Sequence, residues 1–540
     1  MIAIAGIALE IYQWRVARPL WLDEEMIALN IRDRSFADFT APLWLGQSAP
    51  FGWLVVQRAV IITLGTSELA LRLVPMAFGI ATLALALWAG RQWMGAAGAT
   101  VFVLLCSFGV WLSHYPLEVK HFSADAFWAL LLPVLAAWTV EAPAGLQRMR
   151  RGAIWCVAAA AGLWLANGAA LIAPGCALIL LIVFCRTGWR AAAMFSLFAC
   201  AWFASFGMHY LVAMRHTLNS EYLRTYWESG LPPAAIGWSG MVSWLAARFE
   251  SLAFNPVGSK LWIMLWVSVA CGVAFSADRA LGVLLAMAPL SAFAFAALRL
   301  VPLVDRLSLW IVPALMFSVA LFVDRGARLA RGGYMRRSWL RIAVASGILV
   351  VGFLVCSDIF RNGIHALAFE RPRDSKQGID DRSGIRWLMR THDDGDILLT
   401  THSGLPALWW YGGASLANAQ SPGARLLDGT PIFEVGYASP GPECLGDQVR
   451  DVLTDRDRRR VLVYFGFPDR PDGFDDLVVN SLSRFGEVAA RRDFSMSSRA
   501  AVIDLRQPLS SSPAAQDGTP HTIGTAKLDG CVVVRRASRW

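Results

Sequence analysis

Charged side chains are scarce in this chain. Only 16% of its 540 residues are Asp, Glu, Lys or Arg, against about 25% in a soluble globular protein. With 56% hydrophobic residues, that scarcity excludes an ordinary soluble domain. Zinc-ligand spacings are also missing: there is no CxxC pair and no His-rich run. Gly-rich phosphate loops of the P-loop or dinucleotide type are absent, which argues against a soluble nucleotide substrate. The charged n-region and the small-residue cleavage site of a signal peptide are both absent, so a separate cleavable signal is not expected and the first apolar segment itself would direct insertion. The formal charge of +9 does not point to nucleic acid. Much of the Arg excess lies in short loops between apolar segments, where the positive-inside rule puts it.

What is present is a series of apolar stretches from residue 1 to about 357, many near the ~20 residues a spanning helix needs. They predict a polytopic α-helical membrane protein with about 11 spans, at about 2–20, 70–89, 96–112, 126–140, 153–168, 169–185, 191–214, 259–276, 280–297, 308–323 and 342–357. One set of loops carries Arg91, Arg148, Arg150, Arg151, Arg186, Arg190, Arg279, Arg325, Arg328, Arg331, Arg336, Arg337 and Arg341. That set reads as cytoplasmic. The N-terminus is then inside, and the loops around Asp23, 113–125, 215–258 and 298–307 are outside together with everything after 357. In bacterial terms this is a multi-pass inner-membrane protein. Phe51 to Leu64 is too short for a comfortable span and is expected to lie in the interface.

From residue 358 onward charged residues, Gly and Pro become frequent. Runs at Asp396–Thr400, Arg460–Phe465 and Ala500–Leu505 read as strands, and Ile385–Arg390 and Phe474–Phe485 as helices. Alternation of the two predicts an extracytoplasmic α/β domain over 358–540 with a partly parallel sheet. Ser510–Thr519 reads as a linker. Seven cysteines (Cys106, Cys156, Cys176, Cys185, Cys200, Cys271 and Cys356) fall in or beside spans and are expected to act as small core residues. Cys444 and Cys531 fall in the outer domain, where a bridge between them is an open question.

Chemistry concentrates at the outer ends of the spans. Asp23 and Glu24 follow the first apolar segment, within the transmembrane domain 1–357 and its outer loop 21–69. Ionised carboxylates so near a bilayer are costly unless they have partners or work. Asp23 could equally N-cap a helix starting near Glu24. Glu24 could orient a substrate or pair with a cation, and Glu25 is expected to face water. Glu118 and Asp125 would share one helical face with His121 if 118–125 is helical. Ion pairing with Lys120 or His121 is an equal alternative. Lys120 and Arg306 are cations at span ends, where interfacial snorkelling is the ordinary role. Tyr226 and Trp227 could stack on sugar or anchor their loop. Trp409, Trp410 and Tyr411 are expected to dock the outer domain on the membrane part rather than to bind glycan.

As a set these stretches resemble the membrane-embedded C-type (GT-C) glycosyltransferases, the relatives of protein O-mannosyltransferases and of the lipid A aminoarabinose transferase. The matching residues are Trp21-Leu22-Asp23-Glu24 with Ala28, Asn30, Phe36, Pro42-Leu43, Gln47 and Ala49-Pro50; then Ser67-Glu68-Leu69-Ala70-Leu71-Arg72; Tyr115 through Asp125; Tyr226-Trp227-Glu228 with Pro232-Pro233; and Val301 through Arg306. The resemblance covers roughly residues 1–345. It implies inverting transfer of a sugar from a polyprenyl-phosphate donor to a glycan, lipid or protein hydroxyl at the outer face. Asp23 takes the place of the general base beside Glu24. Lys120 and Arg306 are implied donor-phosphate ligands, with Glu118, His121, Asp125, Tyr226 and Trp227 as substrate-binding residues. The chemistry agrees: a hydroxyl nucleophile needs a base, and an anionic leaving phosphate needs fixed cations. No cofactor is assigned, and a divalent cation is left open. A transporter or flippase would more often show internal repeats and acids near mid-membrane, whereas an assembly protein would need no Asp-Glu pair.

Overall fold

The computed structural model describes residues 1–235, 237–331, 339–370, 379–412, 432–438, 460–468, 470–483, 485–495 and 498–505, and the short strands 522–523, 526–527 and 531–536. Two compact units are present. One holds Met1–Ala17 and Phe36–Phe369, and the other Arg18–Ser35 and Glu370–Trp540. Cys444, the side chain of Cys531 and the segment 510–519 lie outside the described residues, and with them the disulfide and linker expectations.

The first unit is helical. Seven of its helices are long and apolar enough to cross a membrane: Glu68–Trp93, Phe122–Val140, Asn167–Thr187, Trp189–Leu218, Arg279–Ala297, Asp305–Arg331 and Trp339–Ala368. The pair Trp238–Val257 and Trp262–Ala274, bent by 88°, makes up to eight. Eleven spans are therefore not reached among the described residues. Three of the expected spans form helices that are short or charged. Ile2–Arg15 has 14 residues and Ala96–Phe108 has 13. Leu146–Leu165 is long enough but opens on Arg148, Arg150 and Arg151. An apolar run counts residues, whereas a helix must also supply rise, at about 1.5 Å per residue. Phe51–Leu64 is a separate 14-residue helix, as its length predicted.

The unit's core is built on the helices Phe122–Val140 and Asp305–Arg331, with Trp155, Phe102 and Phe317 fully enclosed. At Asp305–Arg331, 89% of the apolar window is buried in protein, against 11% at Trp189–Leu218, so the former is central and the latter faces outward. Four of the seven span cysteines are buried as expected. Cys185 and Cys200 are exposed and Cys271 is partly so, which removes them from a core role. Without much hydrophobic drive between helices in lipid, small residues set how closely backbones approach. Gly272 is such a contact: a Cβ there would stand 1.9 Å from the Ser318 carbonyl oxygen.

The second unit is a six-stranded mixed sheet of order β4-β5-β3-β1-β2-β8. Its strands are β1 Ile397–Thr400, β2 Ile432–Ala438, β3 Arg460–Phe465, β4 Glu487–Asp493, β5 Arg499–Asp504 and β8 Cys531–Arg536. A hairpin of β6 Thr522–Ile523 and β7 Ala526–Lys527 stands apart. β1 runs parallel to β2 and β3, while β5 and β8 pair antiparallel. Strand side chains alternate between faces. Ile397, Leu399, Val461, Val463 and Phe465 therefore share one face and pack with the helix Phe474–Leu482. Leu398, Leu462 and Tyr464 turn to the other face, where Tyr464 meets the helix Asp381–Thr391. Both faces are covered, which is why β1 has no exposed residue.

The segment 18–35 groups with this sheet unit rather than with the helices that flank it in sequence. Its helix Leu22–Asp33 packs on the helix Leu405–Tyr411. Arg32 donates to the Trp410 and Trp409 carbonyls at 3.2 and 3.1 Å and lies over the Trp410 ring. The Leu20 N–H donates to the Tyr411 hydroxyl at 2.8 Å. Trp409, Trp410 and Tyr411 thus hold the Asp23 segment, which belongs to their own unit, rather than the membrane part.

Substituting Gly272 by Val should lower the temperature of half-aggregation in detergent, because overpacking of this kind typically costs about 1–3 kcal/mol. Gly207→Val is the control, since its Cβ would meet nothing within 4 Å; equal loss in both would dismiss the close contact.

Candidate functional site

The nine residues expected to form the site divide between the units. Asp23 and Glu24 belong to the sheet unit; Glu118, Lys120, His121, Asp125, Tyr226, Trp227 and Arg306 belong to the helical unit.

In the sheet unit, Trp21 is the N-cap of the helix Leu22–Asp33, so Asp23 lies inside the first turn and does not cap it. Carboxylates in a first turn are favoured by the helix dipole. Glu24 performs the capping: its carboxylate accepts the Trp21 N–H at 3.4 Å and pairs with Arg18 at 3.1 Å. Glu24 is thus paired with a cation. Asp23 is only partly buried, whereas Glu24 is fully enclosed. Glu25 is also fully enclosed. The expectation that it faces water fails, because the helix is covered on the side Glu25 occupies.

In the helical unit, the stretch 115–125 is not one helix. Tyr115–Leu117 is a 3-10 turn, Glu118 is extended, and the helix starts at Phe122. The shared face of Glu118, His121 and Asp125 is therefore broken. Glu118 instead pairs with His114 at 2.8 Å. Asp125 accepts the Gly168 N–H at 2.9 Å, and His121 Nε2 lies 2.9 Å from the Asn167 side-chain amide. His121 Nε2 is also 3.5 Å from Asp125. Burial, reinforced by the charges of Lys120 and Arg306, lowers the His121 pKa to about 3. The ring is thus neutral at ordinary pH and its Nε2 accepts the amide proton. Its Nδ1 has no hydrogen-bond partner among the described residues.

Lys120 is buried and its ammonium donates to Gln47 Oε1. A snorkelling lysine would place its head in water, so that role does not fit. Arg306 stacks over two rings, 5.8 Å from Phe122 and 5.4 Å from Trp227. The loops are braced by backbone: the Leu303 N–H donates to the Gly230 carbonyl at 2.8 Å. Asp305, just before Arg306, has a left-handed φ of 41° and accepts from Asn255. The motifs at 115–125, 226–228 and 301–306 therefore converge around Lys120, His121, Arg306 and Trp227. Tyr226 does not join them. It is exposed and stacks on Tyr222. A cavity of about 70 Å³ is lined by Gln47, Ser48, His216 and Thr217, the Ser48 and Thr217 hydroxyls being 2.6 Å apart.

No family model matches the chain, and neither does any curated protein. Among solved structures it is similar to ArnT from Cupriavidus metallidurans in the apo state, with a TM-score of 0.49 and 14% identity over 92% of this chain and 97% of that one. The apo oligosaccharyltransferase of Archaeoglobus fulgidus gives 0.48 and 12% identity over 85% of this chain and 69% of that one. Arabinofuranosyltransferase AftD from Mycobacteria gives 0.38 and 12%, over 93% and 39%. All three are C-type glycosyltransferases. These are distant likenesses, and the functional reading below rests on the residues.

Asn167, Gly168, Arg18 and Arg32 hold site residues in place but were not singled out in the sequence. Asn167-Gly168 was visible as a polar break between two apolar runs. Nothing in the sequence pairs Arg18 with Glu24. Among the described residues no group of three or more His, Cys, Asp and Glu side chains is arranged to hold a metal ion.

His121 gives a signed pH effect. Its folded pKa of about 3 lies below the ordinary 6.5, so the unfolded chain binds the extra proton between those values. The stability it contributes is complete above pH 6.5 and is lost as pH falls. His121→Gln, which keeps an acceptor for Asn167, should lose less stability than the parent between pH 7.5 and pH 5 in thermal unfolding. Parallel losses would contradict the buried neutral ring.

Proposed function

We propose that this protein transfers a sugar from a polyprenyl-phosphate donor to an acceptor hydroxyl at the outer face of the membrane, with inversion at the anomeric carbon. Asp23 is the general base. The acceptor oxygen attacks the anomeric carbon as its proton passes to the Asp23 carboxylate. The bond from that carbon to the phosphate oxygen breaks, and the polyprenyl phosphate leaves with the electron pair. One displacement gives inversion. The added negative charge on the phosphate is balanced by Lys120 and Arg306, and no proton donor is needed for the leaving group.

The observation that supports this reading best is the pair of cations. Lys120 and Arg306 come from distant segments, yet both act on the same buried imidazole, His121. The Arg306 guanidinium lies within cation–π distance of both Phe122 and Trp227, and its planar fork suits two phosphate oxygens. Trp227 is placed to offer a ring to the sugar or isoprenoid beside that phosphate. Glu24 and Arg18 set the first turn that carries Asp23. His121, next to Lys120, and Asp125, in the first turn of the helix that follows, serve the substrate hydroxyls. The protein is read as an inner-membrane enzyme with its N-terminus in the cytoplasm and the sheet unit outside.

Asp23→Asn should preserve expression and donor binding while lowering turnover at least about a hundredfold, a typical loss for a general base. Arg306→Lys should recover only part of what Arg306→Ala loses in donor KM and kcat. Steady-state kinetics with a synthetic polyprenyl-phosphate sugar measure both. Near-normal turnover of Asp23→Asn sinks the base, and unchanged donor kinetics in Lys120→Ala and Arg306→Ala sink the clamp.

Orientation has its own test, in a chain whose native cysteines are replaced. Ala330→Cys, at the exposed end of the helix Val312–Arg331, should be shielded from an impermeant thiol reagent in intact cells. Ser483→Cys should label once the outer barrier is opened. The reverse pattern would place Asp23 in the cytoplasm.

A further inference from the structure

Glu25 has no part in the reaction above, yet it is one of the most enclosed ionisable residues in the protein. It sits on the Asp23 helix, and its carboxyl faces that of Asp381, in the first turn of the helix Asp381–Thr391. Both side chains are fully buried. Asp381 Oδ1 accepts from the Tyr464 hydroxyl on β3 and from the Ser498 hydroxyl at 2.6 Å. Its Oδ2 and both Glu25 oxygens find no donor among the described residues. An ionised carboxylate only accepts hydrogen bonds. Two of them in contact therefore bond only when one holds a proton; otherwise they repel across a medium of low dielectric.

The surroundings favour the proton. The charged groups that raise the pair are Glu24 on the same helix, itself paired with Arg18, and Asp380 at the cap of the facing helix, while the Tyr464 and Ser498 hydroxyls favour ionised Asp381. On the third packed helix, Leu405–Tyr411, the titratable side chain is Tyr411, whose oxygen accepts the Leu20 N–H.

We propose that Glu25 and Asp381 are positioning residues for Asp23: a carboxyl pair sharing one proton that fixes the helix Leu22–Asp33 against the sheet unit and loosens it when both groups ionise. This rests on the reading of Asp23 as the general base. Burial pushes Asp381 up to about 6 and Glu25 well above the usual carboxylate range. Since the folded state holds the protons more tightly than the unfolded chain, the contact survives the first ionisation, at about 6, and is lost as pH rises further and the more strongly raised Glu25 ionises as well. Arg32 remains bonded to the Trp409 and Trp410 carbonyls. Ionisation of the pair therefore shifts the helix without freeing it.

The test uses the full chain in lipid nanodiscs, with a synthetic polyprenyl-phosphate sugar and hydrogen exchange read over residues 22–33 from pH 5 to pH 9. In the parent, amide protection of that helix and the transfer rate should fall together and reversibly as pH rises. Glu25→Gln supplies an uncharged donor in place of the proton. It should retain the acid-side rate and move both curves to higher pH by about one unit or more. Ser498→Ala removes a bond that favours ionised Asp381 and should move both curves the same way by less, which a merely structural serine would not do. Protection that ignores pH in the parent, or curves in Glu25→Gln that overlie the parent's, would overturn the proposal. So would protection that shifts while transfer does not, provided Asp23→Asn is inactive. If Asp23→Asn is active, the base assignment is what fails, and the shift in protection still stands for the carboxyl pair.

Discussion

A charge taken out of water must be matched by an opposite charge, by fixed dipoles or by a proton, at a cost of several kcal/mol when it is not. Much of the structure follows from how that requirement is met at each buried acid. Glu24 uses a cation, Arg18, together with a backbone N–H. Asp358 uses the Ser259 hydroxyl and the Lys260 N–H. Asp324 uses the Gly95 N–H and Arg328. Asp125 uses the Gly168 N–H. Asp381 uses the Tyr464 and Ser498 hydroxyls, and among the described residues Glu25 has no cation paired with it, which is where the proposed shared proton enters. The cations obey the same rule: Lys120 meets an amide oxygen, and Arg306 lies within cation–π distance of two aromatic rings. These ties also join distant stretches of chain, so the compensation of charge and the assembly of the fold are one process.

Much of the architecture was legible from hydropathy and alternation. Val461, Val463 and Phe465 alternate with Leu462 and Tyr464 in a run too short for a helix, and β3 lies where that pattern put it. The number of spans was not legible. Ala96–Phe108 and Ile2–Arg15 are apolar enough but end too early, and where a helix ends depends on capping groups and neighbours that hydropathy does not record. β4 was invisible because Glu487–Asp493 is largely exposed and charged, and its pairing with β5 is what makes it a strand.

The site divides along the same line. Residue types announced the chemistry: an acid pair, two isolated cations and aromatics at outer loops. Convergence of Lys120, His121, Arg306 and Trp227 agrees with motifs that were read singly. Geometry within a motif was harder. Assuming a helix through 115–125 put Glu118 beside His121, but the 3-10 turn at Tyr115–Leu117 gave Glu118 to His114. Glu25 looked like a solvated neighbour of Asp23, since no local pattern reveals that Asp381 covers it. Tertiary burial of a polar residue is the feature that sequence patterning represents least well.

The segment Arg18–Ser35 belongs to a unit whose remaining residues begin at Glu370. On a ribosome, the helix bearing Asp23 therefore emerges long before the strands and helices that pack on it. At roughly 5–20 residues per second the interval is on the order of tens of seconds. During that time Glu24 and Glu25 have no finished interior to enter, and every helix of the first unit after Ile2–Arg15 is made. A truncated chain would thus carry the acid pair without its frame. A hybrid that exchanged the C-terminal domain alone would mismatch Arg32 and Glu25 with new partners. Heredity of this domain is tied to eighteen residues near the other end of the gene, and recombination that respects the fold must move both pieces together.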